Sequence, residues 1–227
     1  MNSWLLLNSG KCAPAFNMAL DEALLAAMPR LEKPVLRFYG WTEPAATFGY
    51  FQKFFEVEHT TLLRPLVRRP TGGGIVPHDA DWTYSLAFPT SHEWYALKAV
   101  DSYHRVHEWI QSTFGRQNIT TELAPCCKKS LPGQCFVGHE KSDLLWHGKK
   151  IAGAAQRRTR EGLLIQGSVQ APPLALTRLD WEAAMSEVFL SKWGRAGVEF
   201  QPDALLLERV EELIREKYAA VAYNQKR

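Results

Sequence analysis

Apolar residues recur at helical spacing near the start of the chain. Residues 16–27 carry apolar side chains that share one helical face, namely Phe16, Leu20, Ala23, Leu24 and Ala27. Pro29 and Pro34 follow, and we expect them to end the helix. Asp21 and Glu22 are expected in its first turns, where the helix dipole favours negative charge. The pattern therefore predicts an amphipathic first helix.

A longer amphipathic helix is predicted over residues 93–114. We expect Ser91 to be its N-cap and Gly115 to end it. Its inward-facing positions are Leu97, Val100, Tyr103, Ile110 and Phe114. Two further helices are predicted over residues 181–193 and 203–221. The inward-facing positions of the last one are Leu206, Val210, Leu213 and Tyr218.

Shorter apolar or alternating runs predict strands between the helices. These runs cover residues 4–7, 35–39, 46–50 and 82–88. Residues 143–169 predict a three-stranded meander that turns at Gly148 and near Gly162. Residues 117–134 are polar and broken by proline and glycine, so they predict a long loop. Early and central strands with helices around them indicate an α+β fold, with a mixed, largely antiparallel sheet flanked by helices.

Composition and charge narrow the class of protein. The chain has 227 residues, is 46% hydrophobic and carries a net charge of +3. Its length suits one large domain or two small ones, its composition suits a substantial core, and we expect a single domain over residues 1–227. So small a charge predicts no nucleic-acid partner, although a weakly basic surface suits an acidic protein. No apolar run approaches a membrane span, and the start lacks the basic region of a signal peptide. We therefore expect a cytoplasmic protein without a membrane partner.

The most distinctive stretch is RRPTGGGIVPHDADWTYSL, residues 68–86. Its three consecutive glycines, residues 72–74, permit positive φ and let backbone N–H groups approach a ligand closely. Arg68 and Arg69 are expected to place fixed positive charge beside this opening. The alternative is a flexible turn between two strands. The flanking arginines and the His-Asp pair that begins at His78 favour a binding site.

A second stretch that contains candidate catalytic residues covers residues 133–158. Cys135 follows a loop that contains proline and glycine, and Lys150 opens a strand whose small residues 153–155 leave room for a ligand. A lysine held beside a cysteine favours the thiolate, which is the nucleophilic form. On the residues alone, an inert buried thiol and a solvated turn lysine remain as alternatives.

The cysteines and histidines also raise the question of a metal. The candidate ligands are Cys126, Cys127, Cys135, His139 and His147. Their spacing lacks the C-x2-C pair of structural zinc sites, so no metal site is predicted. Four cysteines are also few for a disulfide framework in a chain of this length. Tyr103, Trp109 and Phe114 are expected to belong to the core.

Five segments of the chain, taken in order, carry a family resemblance. They are FNMALDEALL, PVLRFYGWTEPAATFGYFQ, RRPTGGGIVPHD, KKIAGAAQRR and LLIQGSV, and the similarity covers roughly residues 4–170. Together they resemble the lipoate-protein ligase and octanoyltransferase family, within the biotin/lipoate protein ligase superfamily. The resemblance implies a fold related to class II aminoacyl-tRNA synthetase catalytic domains. It also implies an enzyme that attaches octanoyl or lipoyl groups to one lysine of a lipoyl domain.

Two chemistries occur within this family. Ligases activate free lipoate with ATP and magnesium, whereas cysteine-type octanoyltransferases take octanoate from acyl carrier protein through a thioester on the enzyme. The segment from Cys135 to Lys150 resembles the transferase type, because Phe136 follows the cysteine and the family lysine comes fifteen residues after it. The resemblance implies that Cys135 is the nucleophile. It also implies that Lys150 holds the acyl carbonyl and favours the thiolate.

We therefore predict an octanoyltransferase that needs no cofactor. It would move an octanoyl group from acyl carrier protein, through Cys135, to a lysine of a lipoyl domain, either of a 2-oxoacid dehydrogenase or of the glycine cleavage H protein. The predicted substrate-binding residues are Arg69, Thr71, Gly72, Gly73, Gly74, Val76, His78, Gly153 and Ala154.

Two alternatives stay open at the level of the sequence. One is an ATP-dependent lipoate ligase, which a third glycine at Gly74 favours, since many cysteine-type transferases carry arginine there. The other is a non-catalytic module that binds a lipoyl domain or an acyl ligand. Gln166 also departs from the family, which usually has histidine at this position. A biotin ligase is disfavoured because its usual glycine-rich signature is absent.

Overall fold

The computed structural model describes residues 3–128, 138–173, 175–193 and 197–226. Its strands are β1 (Trp4–Cys12), β2 (Val35–Trp41), β3 (Ala45–Phe48), β4 (Leu66–Arg68), β5 (Val76–His78), β6 (Trp82–Pro89), β7 (Glu122–Leu123), β8 (Leu144–Trp146), β9 (Lys149–Arg158), β10 (Gly162–Val169) and β11 (Gly197–Glu199). Its helices are α1 (Pro14–Leu31), α2 (Phe54–Val57), α3 (Glu93–Ala96), α4 (Ala99–Arg116), α5 (Arg178–Trp193), α6 (Ala204–Leu213) and α7 (Val221–Asn224), with a π-helical turn at Ile214–Tyr218 before α7.

A mixed sheet of eight strands forms the centre of the described structure, in the order β11-β1-β2-β6-β10-β9-β8-β7. The pairs β11–β1 and β1–β2 are parallel, and the remaining pairs are antiparallel. The predicted meander is confirmed as β8, β9 and β10, and its first turn contains Gly148 at φ +71°. The α+β class and the largely antiparallel sheet are therefore confirmed.

A second, smaller sheet has the order β4-β3-β5. The strand predicted over residues 46–50 belongs here as β3, and it pairs with β4 in parallel and with β5 in antiparallel orientation. The small sheet therefore carries the glycine stretch, which lies between β4 and β5. This placement brings Gly73 close to β9 and β10 of the main sheet.

Helices cover both faces of the main sheet because its strands alternate side chains between two cores. In β2, Leu36 and Phe38 join the core beneath α4 and α5, whereas Val35 and Tyr39 join the core beneath α1 and α6. This period of two is the geometry of a strand buried on both faces. The two-sided core explains why β2 reads as a continuous apolar run broken only by Arg37 and Gly40.

The first helix is longer than its apolar pattern predicts. It begins at Pro14, continues through Pro29 and ends after Leu31, where Glu32 adopts a left-handed φ of 53°. The prediction that Pro29 closes the helix is therefore wrong. The prediction that the helix dipole favours Asp21 in the first turns is also wrong, because Asp21 lies beyond the first turn and its side chain is fully buried.

The helix predicted over residues 93–114 is divided in two. Leu97 is extended, with ψ 147°, and separates α3 from α4. The nitrogen of Trp94 donates to the ring of His92, so the N-cap is His92 and not Ser91. Val100 is 71% exposed, contrary to its predicted inward position. Gly115 lies inside α4 and does not end it.

The last two predicted helices are confirmed with small changes in length. Thr177 and Asp180 bond each other's backbone nitrogens, which caps the start of α5. Asp203 caps α6 by accepting from the nitrogen of Leu206 at 2.9 Å. The π-helical turn then carries the chain to α7. The four inward positions predicted for the last helix, Leu206, Val210, Leu213 and Tyr218, are all buried.

Candidate active site

A cavity lies where β9 and β10 of the main sheet face the small sheet. About 490 Å³ of space lies between the atoms that surround it, a volume that includes the part open to solvent, and about 50 Å³ of it admits the centre of a water-sized sphere. Residues from six strands, the first helix and the glycine stretch line it: Met18, Tyr39, Thr47, Arg69, Gly73, Val76, His78, Thr83, Lys150, Gly153, Ala154, Ala155, Gln166, Gly167 and Ser168.

The structure brings together most, but not all, of the predicted site residues. Those that line the cavity are Arg69, Gly73, Val76, His78, Lys150, Gly153 and Ala154. Thr71 is fully buried behind the wall, where its hydroxyl donates to Gln166 Oε1 at 2.7 Å. Gly72 and Gly74 flank the lining residue Gly73 without lining the cavity in the described structure.

Small residues on β9 create the space in the main-sheet wall. A Cβ atom at Gly153 would lie 2.7 Å from Nζ of Lys150 and 3.3 Å from Oδ1 of Asp143. On the neighbouring strand, a Cβ at Gly167 would overlap the ring of Tyr84. The buried ring of Tyr84 cannot give way, so position 167 requires glycine, whereas a side chain at position 153 would displace the flexible end of Lys150.

Lys150 is held by a buried carboxylate. Its Nζ lies 2.7 Å from Oδ2 of Asp143, and the two side chains are 7% and 0% exposed. The hydroxyl of Tyr103 on α4 donates to the other carboxylate oxygen, Oδ1. Burial and the adjacent carboxylate raise the pKa of Tyr103 well above its usual value, so this tyrosine stays a donor. The alternative of a solvated turn lysine is therefore wrong.

The glycine stretch is fixed by directed bonds and a close backbone contact. The guanidinium of Arg69 donates to the carbonyl of Gly72 at 2.5 Å and to the carbonyl of Thr47 at 3.3 Å. Gly73 has φ 87°, in the left-handed region that favours glycine. A Cβ at Gly49 would lie only 1.9 Å from the carbonyl oxygen of Gly73. Arg69, which itself lines the cavity, therefore holds the glycines in place at the cavity wall.

The other arginine of the pair does not serve the cavity. Arg68 is fully buried, and its guanidinium donates to the carbonyl oxygens of Tyr50, Gln52 and Asn224. The prediction that Arg68 places charge beside the opening is wrong. Its five-donor fork instead joins the small sheet to the C-terminal helix, a role that matches guanidinium geometry.

His78 is a buried cavity residue with partners on both ring nitrogens. Nδ1 lies 2.9 Å from Oδ2 of Asp81, and Nε2 lies 2.8 Å from the hydroxyl of Thr47. The ring stacks on Trp41 with 3.9 Å between centroids. The carboxylate partner is thus Asp81, three residues along, and not the adjacent Asp79, which is exposed. The ring is therefore held in one orientation.

A buried polar network next to the cavity was not predicted from the sequence. Asp21 pairs with Arg37 at 2.7 Å, and both side chains are fully buried. Nε2 of Gln166 donates to Asp21 at 2.7 Å, while its Oε1 accepts from Thr71. Gln166 thereby joins this ion pair to the segment just before the glycines. The only sequence signal was a charged pair within apolar segments, Asp21 in α1 and Arg37 in β2.

The predicted nucleophile, Cys135, lies outside the described residues. On either side of this undescribed segment, Lys128 and His139 exchange backbone hydrogen bonds of 2.8 and 3.1 Å. Cys126 and Cys127 are exposed, and burial raises the pKa of the half-buried Cys12. Within the described ranges, no group of three or more acidic, histidine or cysteine side chains could hold a metal ion.

Comparison with solved structures defines the class of fold. The chain superposes on a lipoate-protein ligase A bound with ATP with a TM-score of 0.81, at 20% identity and with 99% of each chain covered. A bi-partite lipoate protein ligase from Thermoplasma acidophilum gives a TM-score of 0.75 at 18% identity, covering 99% of this chain and 97% of the other. The fold is therefore that of lipoate-ligase catalytic domains.

Sequence comparison identifies the family. Residues 13–172 match the sequence model of the lipoyl protein ligase A/B catalytic domain, and the chain belongs to this family. It is 35% identical over 199 residues to the octanoyltransferase LipM of Lysinibacillus sphaericus, covering 82% of this chain and 70% of that protein. It is also 35% identical to the LipM of Bacillus subtilis, covering 74% of this chain. The match spans 65% of the Bacillus subtilis protein.

None of the helices in the described parts of the chain is long and apolar enough to cross a membrane. The residues that line the cavity come mainly from the two sheets and α1. The exposed and buried faces of the long helices follow from the two-sided core, with α4 and α5 on one face and α1 and α6 on the other.

Proposed function

We propose that this protein is an octanoyltransferase of protein lipoylation. One observation carries the proposal: a lysine ammonium, Lys150, is held by a buried carboxylate at the wall of a cavity lined by Met18, Val76 and Ala154. An apolar slot that ends at a cation suits an acyl chain with a reactive carbonyl. The similarity to proteins named octanoyltransferase LipM supports the same substrate class.

Burial of the acyl chain supplies the binding energy in this proposal. Each methylene transferred from water to an apolar site contributes about 0.8 kcal/mol. The eight-carbon chain would lie along the small residues of β9, so its binding contributes several kcal/mol before losses of entropy. A narrow slot also orients the carbonyl towards Lys150. Octanoate is the chain that the named relatives transfer, and it sets the expected length here.

The proposed reaction has two acyl transfers that share one carbonyl. In the first, the thiolate of Cys135 attacks the thioester of octanoyl-acyl carrier protein, and the carrier leaves as a thiolate that takes up a proton. In the second, the lysine amine of a lipoyl domain attacks the enzyme thioester. Cys135 leaves as thiolate, the amine loses a proton and an amide remains. Lys150 stabilises the oxyanion that develops in both steps.

Neither transfer consumes a high-energy cofactor in this scheme. The carrier thioester is already activated, so no acyl-adenylate is needed and ATP has no role. The donor is acyl carrier protein, and the acceptor is a lipoyl domain of a 2-oxoacid dehydrogenase or the glycine cleavage H protein. A lipoate ligase on the same fold would instead require ATP and magnesium to form lipoyl-adenylate.

Mass spectrometry of the intact enzyme tests this function. Mixed with octanoyl-acyl carrier protein and no acceptor, the enzyme should gain one octanoyl mass that hydroxylamine removes. Cys135→Ala should abolish both adduct and transfer, while Cys126→Ala and Cys127→Ala should keep both. Addition of ATP should change nothing.

Other outcomes identify the alternatives. ATP consumption, lipoyl-adenylate and an almost unaffected Cys135→Ala protein would establish a ligase. Binding of a lipoyl domain without modification of it, under both sets of conditions, would establish a binding module. An adduct that survives in Cys135→Ala but is lost in Cys127→Ala would place the nucleophile at residue 127.

A further inference from the structure

Asp143 stands out among the buried charges because its contacts converge on one cavity residue. Its side chain is fully buried, and Oδ2 lies 2.7 Å from Nζ of Lys150. The same oxygen accepts from the backbone nitrogen of Glu140 at 2.6 Å. The other oxygen, Oδ1, accepts from the hydroxyl of Tyr103. The carboxylate is thus fixed from three sides, by α4, by its own turn and by β9.

The backbone around Asp143 is also anchored. Its nitrogen donates to the carbonyl of Glu140 at 3.1 Å, and its carbonyl accepts from the nitrogen of Ala124 at 2.8 Å. The nitrogen of Ser142 donates to the carbonyl of Ala124 at 2.8 Å. A carboxylate attached to so constrained a turn has little freedom to follow a mobile lysine. The lysine must therefore adapt to the carboxylate.

Gly153 completes this arrangement by leaving the space that the ion pair occupies. A Cβ at this position would come within 2.7 Å of both Cε and Nζ of Lys150. A buried charge is tolerated only when it is paired and hydrogen-bonded. The ammonium is therefore held at one place on the cavity wall, where it contacts the carboxylate of Asp143 and fills the space left by the missing side chain of Gly153.

We propose that Asp143 is a positioning residue for acyl transfer, which acts by holding the Lys150 ammonium against the reacting carbonyl, with Tyr103 holding Asp143 in turn. This inference rests on the proposed function, because it assigns Lys150 to the developing oxyanion. Stabilisation of an oxyanion depends on donors fixed before the reaction. Loss of Asp143 should therefore lower turnover more than it weakens substrate binding.

Steady-state octanoyl transfer by three variants tests the proposal. Asp143→Asn keeps the shape of the side chain but removes its charge, and we expect kcat to fall about 30-fold with KM for octanoyl-acyl carrier protein changed less than threefold. Tyr103→Phe should lower kcat about fivefold. In a folded Asp143→Asn protein, the added Tyr103→Phe change should alter kcat less than twofold, because Tyr103 acts through Asp143.

Matched controls separate positioning from folding. Asp101→Asn removes an exposed carboxylate from the first turn of α4, and Tyr95→Phe removes a hydroxyl bonded to the carbonyl of Thr159. Both should keep wild-type kcat. Rates are compared per folded protein, well below the melting temperature of each variant. If Asp143→Asn does not fold, the comparison of Tyr103→Phe with Tyr95→Phe decides the question.

Defined results would overturn the inference. A folded Asp143→Asn protein with kcat within twofold of wild type would do so, as would a loss confined to KM. An unchanged kcat in Tyr103→Phe would overturn it if Asp143→Asn cannot be folded. Failure of the proposed function is distinguishable, since the wild-type enzyme itself would then form no octanoyl adduct. If the wild type forms the adduct, the variants test Asp143 alone.

Discussion

The ion pairs Asp21–Arg37 and Asp143–Lys150 are both buried, but their surroundings differ. Arg37 is fully enclosed, and beyond Asp21 it donates to Ser9 and to both the carbonyl and the side chain of Asn17. Lys150 instead lines the cavity and is 7% exposed. The guanidinium joins three elements as a structural connector, whereas the ammonium is presented to a ligand.

The difference follows from the chemistry of the two cations. Arginine offers five donors in a rigid plane, so it can saturate several fixed acceptors inside a core. Lysine concentrates its charge on one nitrogen at the end of a flexible chain, and its geometry must be imposed by a partner. Asp143 is that partner. Burial alone therefore does not separate structural from functional charges, but the identity of the cation and its access to the cavity do.

Removal of the enclosed carboxylate should have the largest effect on stability. In Asp21→Asn, Arg37 loses its buried counter-charge, and we expect the free energy of unfolding to fall by roughly 3–5 kcal/mol. Urea denaturation measures this loss. Glu187→Gln is the control, since Glu187 pairs with Arg116 at the surface and should lose at most about 1 kcal/mol. Equal losses in both variants would contradict the structural role.

Replacement of the cavity lysine should have its largest effect on activity. Lys150→Ala should reduce octanoyl transfer at least about a hundredfold, in the range found for removal of one oxyanion donor. Lys150→Arg should also be impaired, because a planar fork cannot reproduce the compact ammonium. Lys149→Ala is the control, because the neighbouring residue is exposed and adjacent strand residues face opposite sides. Wild-type activity in Lys150→Arg would reduce the lysine to a source of general positive potential.

A neutral buried histidine beside the Lys150 pair should make stability depend on acid. Burial lowers the pKa of His107 from 6.5 to about 4. Above pH 6.5 the imidazole of His107 is neutral in both the folded and the unfolded protein. Below pH 6.5 it is protonated first in the unfolded chain. Stability should therefore fall as pH drops from 6.5 towards 4, by about 2 kcal/mol at about pH 5. In His107→Phe this part of the acid sensitivity should disappear from urea titrations, and an unchanged pH profile would refute the assignment.

A valine in the glycine stretch should have the smallest of these effects. Gly73 combines φ 87° with a place in the cavity wall, so Gly73→Val introduces backbone strain and a branched side chain. We expect octanoyl transfer to fall about tenfold, or about 1.4 kcal/mol. Gly10→Val is the control: Gly10 has φ 63° and open space around its Cβ position. A folded Gly73→Val enzyme with full turnover would reduce the glycines to a turn.

Secondary-structure predictions from local patterns were most accurate where neighbouring elements in the chain are also neighbours in the fold. The meander of β8, β9 and β10 matched because its apolar runs and glycine turns lie next to each other in the chain. The division of the helix at Leu97 was missed, since the apolar spacing continues across the break. Cys135 remains a prediction from the family resemblance. The family resemblance also implied the place of Lys150 at the site, whereas only the tertiary structure showed that Arg68 points away from the cavity and that Asp143 holds Lys150.

The sequence by itself determined the α+β class, the meander and the family, because periodicity and ordered motifs are properties of neighbouring residues. Only the tertiary structure decided which buried polar side chains meet. Tyr103 and Asp143 are 40 residues apart, Thr71 and Gln166 are 95 apart, and Gln166 and Asp21 are 145 apart. Such contacts depend on strand register, where a shift of one residue turns a side chain to the opposite face. Asp143 and Lys150 lie on either side of the β8–β9 hairpin, whose pairing shifts register between Leu144 and Leu145. The apolar pattern predicts the hairpin but not that shift, so the contact between the two side chains follows only from the folded structure.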